Sequence, residues 1–231
     1  MTVKMLASIK NICEAKIVKR MNIDIIDIKN ISEPPMGFAG CDNVEKIKDY
    51  LEDSIISVTM GNDLNPYNKK MLYNINSVIN NKIDYVKIGF FSKKEIDNHQ
   101  RLLKAIDFRD TKPICVLFAD DAININIIKE LSNIGYKGVM LDTMKKDNKS
   151  IIEVFPDNTF ISFIKTAKHY KMTSGIAGSL KIKDIASIHK MNPNFMGFRG
   201  QLCKKTSDRF DLDASQIKRV FREFALASKT I

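Results

Sequence analysis

The sequence predicts a single (β/α)8 barrel over residues 1–231. Three observations lead there: short apolar runs alternate with longer amphipathic ones, eight such pairs fill the 231 residues, and no Pro-, Gly- or Ser-rich linker divides them. Each crossover is long enough to carry a helix between parallel strands. The count and the unbroken order suit a closed barrel better than an open doubly wound sheet. With 44% hydrophobic residues, a chain of this length buries a sizeable core.

Taken in order, strands are predicted at 5–9, 25–29, 55–60, 85–90, 114–119, 138–142, 172–177 and 195–199. Most read as continuous apolar runs, the pattern of parallel strands covered on both faces. Helices are predicted between them at 12–21, 44–51, 67–80, 93–106, 122–134, 161–170 and 182–190, with 214–227 closing the chain. The segment 208–213 lacks the glycine and terminal glutamate of a calcium-binding loop. It reads instead as a connection whose last residue, Asp213, caps the final helix.

Composition limits the function. The formal charge of +10 raises the question of nucleic acid, but the basic residues are scattered and no aromatic-interleaved stripe appears, so a solvated lysine-rich surface is the simpler reading. A basic cleft for a small phosphorylated molecule is the main competitor. Cys13, Cys41, Cys115 and Cys203 form no Cys-x-x-Cys pair, which points away from a disulfide framework or a zinc site. No signal peptide is recognisable and no run reaches the roughly 18 apolar residues of a membrane span. A reduced, cytoplasmic protein without membrane contact is expected; homo-oligomerisation is left open. His99, His169 and His189 fall in predicted helices and read as packing or surface residues. Asp120 and Asp121 follow strand 5 and suit a functional position or a helix cap equally.

One strand does not fit a purely structural role. In Ile25-Ile26-Asp27-Ile28-Lys29-Asn30, Asp27 and Lys29 interrupt an isoleucine run and share a face, being two residues apart. An inward lysine is desolvated, which favours the neutral, nucleophilic amine, and such an amine condenses with carbonyls. In a barrel the chemistry sits at the carboxyl ends of the strands, and inward residues of alternate strands share a layer. Lys29, Lys87, Asp142 and Arg199 lie at or near the ends of strands 2, 4, 6 and 8. They are expected to converge on one mouth, with Asp27 about 7 Å deeper at about 3.3 Å per residue. A neutral amine beside a charged one is the pairing that Schiff-base chemistry uses: one forms the imine and the other moves protons. Gly178-Ser179 after strand 7 and Arg199-Gly200 after strand 8 occupy the loops where barrel enzymes often hold a phosphate.

These residues carry a resemblance. The run 25–30, Ser57-Val58-Thr59-Met60-Gly61, Asp84-Tyr85-Val86-Lys87-Ile88-Gly89, Ala119-Asp120, Met140-Leu141-Asp142-Thr143 with Lys146-Asp147, Ala177-Gly178-Ser179, and Arg199-Gly200 with Cys203-Lys204 are together similar to the (5-formylfuran-3-yl)methyl phosphate synthase family, also called 4-(hydroxymethyl)-2-furancarboxaldehyde-phosphate synthase. The match runs in order over nearly the whole chain. The resemblance implies a (β/α)8 barrel of methanofuran biosynthesis, a carbon–oxygen lyase that builds a furan from two glyceraldehyde 3-phosphate molecules with loss of one phosphate and water. It implies Lys29 as the Schiff-base lysine, Lys87 as proton acceptor, and Asp27, Asp142 and Lys146 as supporting polar groups. No metal, no organic cofactor and no nucleic-acid partner are implied.

The sequence departs from the family in the loops. Asn30 is followed by Ile31-Ser32-Glu33-Pro34-Pro35-Met36-Gly37 where proline and a Gly-Ser-Leu-Gly run are usual, Met60-Gly61-Asn62 replaces Val-Gly-Asp, Gln201-Leu202 replaces two small residues, and Lys205-Thr206-Ser207 replaces a glycine-rich step. These changes spare the lysines but leave the exact aldehyde phosphate open. Two other readings remain: a different class I aldolase-like or phosphosugar-processing barrel using the same lysine pair, and a non-catalytic basic protein binding nucleic acid.

Overall fold

A computed structural model describes residues 2–120, 124–145, 149–155 and 157–229. Eight parallel strands close into a barrel in sequence order: β1 Lys4–Ile9, β2 Ile25–Ile28, β3 Ile56–Thr59, β4 Tyr85–Gly89, β5 Lys112–Phe118, β6 Gly138–Asp142, β7 Thr173–Ile176 and β8 Phe195–Phe198, with β8 paired back to β1. The predicted (β/α)8 barrel is the observed one. Helices α1 Ile12–Val18, α2 Cys41–Tyr50, α3 Lys69–Asn80, α4 Ile96–Ala105, α5 Ile127–Ile134, α6 Ile151–Val154, α7 Asp157–His169, α8 Ile185–Met191 and α9 Ala214–Lys229 follow the strands. The β6–β7 connection carries two of them, the short α6 being one that the sequence pattern does not predict.

The helices start where side chains cap them. Asn11 accepts from the Glu14 N–H, Asn68 from the Met71 N–H and Asp213 from the Ser215 and Gln216 N–H groups, so Asp213 caps α9 as predicted. At the other end, Gly135 closes α5 at φ 118°, a conformation that favours glycine.

Alternation along each strand sorts side chains into two cores. Val86, Ile88, Cys115, Leu117, Val139 and Leu141 point outward and pack under the helices. Leu6, Ile25, Ile114, Val116, Met140 and Phe195 form a second cluster that plugs the barrel from within. Gly175 admits this plug, because a Cβ there would lie 2.1 Å from the Phe195 ring. The apolar plug occupies the lower barrel, so polar inward residues are confined to the carboxyl end.

In the helical layer, His99 of α4 is fully buried, shares a 2.6 Å hydrogen bond through Nδ1 with the Tyr136 hydroxyl, and packs against Phe90. Burial pushes its pKa from 6.5 down to about 4. The unfolded chain therefore takes up a proton at this residue that the folded chain refuses between those values, so the stabilisation is complete above pH 6.5 and declines as pH falls towards 4. Acidification from pH 7 to 4.5 is expected to cost about 2–3 kcal/mol through His99. Urea midpoints at the two pH values check this: the drop should be smaller in His99→Gln, and an equal drop in both proteins would remove His99 as its source.

Candidate active site

The polar centre is built on three neighbouring strands. Ser8, Asp27 and Ser57 are register partners on β1, β2 and β3, so their inward side chains meet at one level. Asp27 has no solvent exposure, and its carboxylate accepts from Ser8 Oγ (2.9 Å) and Ser57 Oγ (3.0 Å). Lys87, in the middle of β4, reaches across to Asp27 Oδ1 at 2.6 Å. Three donors fix the carboxylate plane and aim the Lys87 ammonium along it.

Lys29 sits one residue beyond β2, and its Nζ donates to the carbonyl of Pro35 at 2.7 Å. The loop supplying that carbonyl folds back over the strand end, tied by Asn30 N–H to Gly37 O (2.9 Å) and by Thr59 Oγ1 to the same carbonyl (2.8 Å). Lys29 is 6% exposed and Lys87 3%, so both amines are largely withdrawn from water while opening into the same pocket. Asp142 at the end of β6 lines it from the far side, its Oδ1 accepting from the Thr143 N–H at 2.7 Å.

The pocket rim is formed by the loops after β7 and β8. Gly178 stands at φ 100°, and a Cβ there would press on Thr143 and Ile151 at 3.0 Å, so only glycine lets this turn close on the β6 loop. Ser179 and Gly200 complete that side. Arg199 is 5% exposed and directs its N–H groups inward to protein: Nη1 and Nη2 grip the Glu14 carboxylate at 2.6 and 3.0 Å, and the remaining donors reach Ser8 O, Arg209 O and Phe210 O. That bidentate pair ties the end of β8 to α1.

A family model described as 4-HFC-P synthase matches residues 5–221. The chain belongs to the 4-HFC-P synthase family. Its relatives include the (5-formylfuran-3-yl)methyl phosphate synthases of Methanococcus aeolicus, 29% identical over 86% of this chain and 89% of that protein, and of Methanosarcina mazei, 29% identical over 90% and 95%. Among solved structures, phosphoribosyl anthranilate isomerase from Thermus thermophilus superposes with a TM-score of 0.68 at 11% identity, covering 98% of this chain and 99% of that one. The 3-hexulose-6-phosphate synthase from Salmonella typhimurium gives 0.67 at 12%, covering 96% and 100%. At such identities these likenesses speak for the barrel fold alone.

In this member of the 4-HFC-P synthase family, eight of the nine residues singled out from sequence, namely Lys29, Lys87, Asp27, Asp142, Gly178, Ser179, Arg199 and Gly200, line one pocket. The ninth, Lys146, lies outside the described residues, as do Asp147 and Asp121. All five N–H donors of Arg199 already have protein acceptors. Asp120 neither caps α5 nor lines the pocket; its carboxylate accepts from the Met144 and Lys145 N–H groups at 2.6 and 2.7 Å and pins the β6 loop. His99, His169 and His189 stay in the helical layer.

Three members of this site escape sequence reasoning. Ser8 is a lone hydroxyl in an apolar strand, and that isolation is a signal, whereas Ser57 shares β3 with Thr59 and carries no such mark. Arg209, which also lines the pocket, sits in a loop with no pattern at all.

Proposed function

We propose that this chain condenses two glyceraldehyde 3-phosphate molecules into 4-(hydroxymethyl)-2-furancarboxaldehyde phosphate, with loss of one phosphate and water, in methanofuran biosynthesis. The observation that carries this reading is the pairing of two withdrawn lysines in one pocket, with Asp27 2.6 Å from Lys87 and Lys29 donating to the Pro35 carbonyl. Membership of the 4-HFC-P synthase family supplies the product class.

Lys29 attacks the aldehyde carbon of one triose phosphate and loses water to form an imine, which draws electrons from the adjacent carbon. Lys87, once its ammonium has given a proton to the departing water, takes up the proton released from a substrate carbon and returns to the ammonium that Asp27 balances. Phosphate leaves one triose, the carbon nucleophile adds to the other, dehydration with ring closure gives the furan, and hydrolysis of the C=N bond frees Lys29. The buried setting strengthens each of these electrostatic contacts. Asp142, across the pocket, and Lys146 are assigned as supporting polar groups. The chemistry is a carbon–oxygen lyase reaction in which Lys29 provides the covalent attachment, and it calls on no metal or organic cofactor.

The loop departures at 31–36 and 201–202 favour a second reading, in which the same lysine pair acts on another aldehyde phosphate. Incubation with glyceraldehyde 3-phosphate separates the two: the expected result is a product with furan absorbance and the mass of the furan phosphate, together with released inorganic phosphate. Release of neither, under conditions where another aldehyde phosphate is consumed, establishes the alternative.

A further inference from the structure

We infer that Arg209, on the strap between β8 and α9, is the cation that receives a phosphate monoester at the mouth of the barrel. The identity of the phosphorylated ligand rests on the aldehyde-phosphate reading above. The assignment of the arginine rests on the strap itself.

The strap is fixed by its backbone and leaves this side chain unclaimed. The Cys203–Leu212 bridge and the Lys204 N–H to Asp211 O bond close its base. Arg199 donates from Nε to Arg209 O at 2.8 Å and from Nη2 to Phe210 O at 2.7 Å, while Lys10 Nζ also reaches Phe210 O. Arg209 thereby stands at φ 59°, in the left-handed region that L side chains seldom adopt, which directs its stem over the pocket. Among the described residues its guanidinium makes no hydrogen bond or ion pair. Arg209 is half-buried, and a guanidinium partly withdrawn from water ordinarily meets an anion.

The surroundings specify the anion. Arg209 lines two spaces at once: the candidate active-site pocket and an adjoining open cleft that also meets Ser179, Lys181, Gly200, Thr206 and Ser207. Hydroxyls, glycine backbone and cations face this cleft, and no carboxylate belongs to its lining among the described residues. Burial depresses the Arg209 pKa, opposed by the charge of Asp142 and reinforced by that of Arg199. Arg199 thus acts as a positioning residue, holding the strap whose next arginine meets the ligand. A planar fork matches two phosphate oxygens, which a lysine at the same place does not.

Equilibrium dialysis with inorganic phosphate at constant ionic strength tests this, using the full chain, Arg209→Met and Arg209→Lys, each checked for an unchanged thermal midpoint. Arg209→Met is expected to weaken phosphate binding at least about tenfold and Arg209→Lys by less, the scale of a charge-assisted hydrogen bond. Borohydride trapping on Lys29 then compares glyceraldehyde 3-phosphate with unphosphorylated glyceraldehyde; the preference for the phosphorylated aldehyde should fall about tenfold in Arg209→Met. Phosphate affinity equal in the native chain and Arg209→Met overturns the assignment, as does a native chain that binds no phosphate. Phosphate binding that depends on Arg209, with no trapping by either aldehyde, upholds the assignment and removes the Schiff-base reading instead.

Discussion

Replacing Lys29 with arginine is expected to abolish both turnover and covalent capture. An arginine side chain has a similar length and reach, so it still fills the space that Lys29 occupies. The guanidinium stays protonated at any working pH and offers no lone pair to an aldehyde carbon. Loss of the nucleophile in a covalent mechanism lowers kcat on the order of 10⁵-fold. Incubation with glyceraldehyde 3-phosphate and borohydride, followed by peptide mass analysis, should find a reduced adduct on Lys29 of the native chain and none in Lys29→Arg. Labelling on another lysine with Lys29 untouched would refute the proposed attachment.

Removal of Lys87 has a different signature. Lys87→Ala strands the Asp27 carboxylate with its two serine donors, 0% exposed and without its counter-charge. Breaking a buried pair in this way costs about 3–5 kcal/mol of stability, and losing the proton-transfer group costs about 10²–10⁴-fold in turnover. The two effects separate in the double variant Lys87→Met with Asp27→Asn, in which no charge is left buried. Stability should largely return, turnover should not, and the Lys29 adduct should still form. Turnover that recovers together with stability would show Lys87 to be structural only.

Much of the fold was legible because burial on both faces writes itself into a strand. Most of the eight strands are apolar runs, and the observed limits of all eight fall within two residues of the predicted ones. The exception in kind is β5, which begins at Lys112 and pairs Pro113 with Val86, although proline reads as a break. Proline is tolerated there because it enters at the strand's second residue. Helix limits were less legible: α1 stops at Val18 and α4 is preceded by a separate turn at Lys93–Glu95. Conversely, α2 begins at Cys41 and α7 at Asp157, ahead of the predicted 44 and 161, so amphipathic periodicity misplaces helix ends in both directions.

The site divides along the same line. Lys29, Lys87, Asp27 and Asp142 could be picked out because a charge inside an apolar strand is costly and so conspicuous. Arg199 was conspicuous for the same reason, yet its partner Glu14 lies 185 positions away in an ordinary-looking helix. Position along a strand is local information, whereas the acceptor a side chain finds is not. Arg209 could not be seen at all, since a charged residue in a polar loop carries no local cost.

The grip of Arg199 on Glu14 has a consequence for the order in which the molecule assembles. The first four strands already contain both reactive amines and Asp27, but the mouth around them lacks its wall until the eighth strand arrives and locks to the first helix. Loop closure over so many residues is entropically late. A half-made chain, during synthesis, therefore lacks the enclosure that withdraws Lys29 and Lys87 from water, and the chemistry proposed for them waits for the last piece to dock.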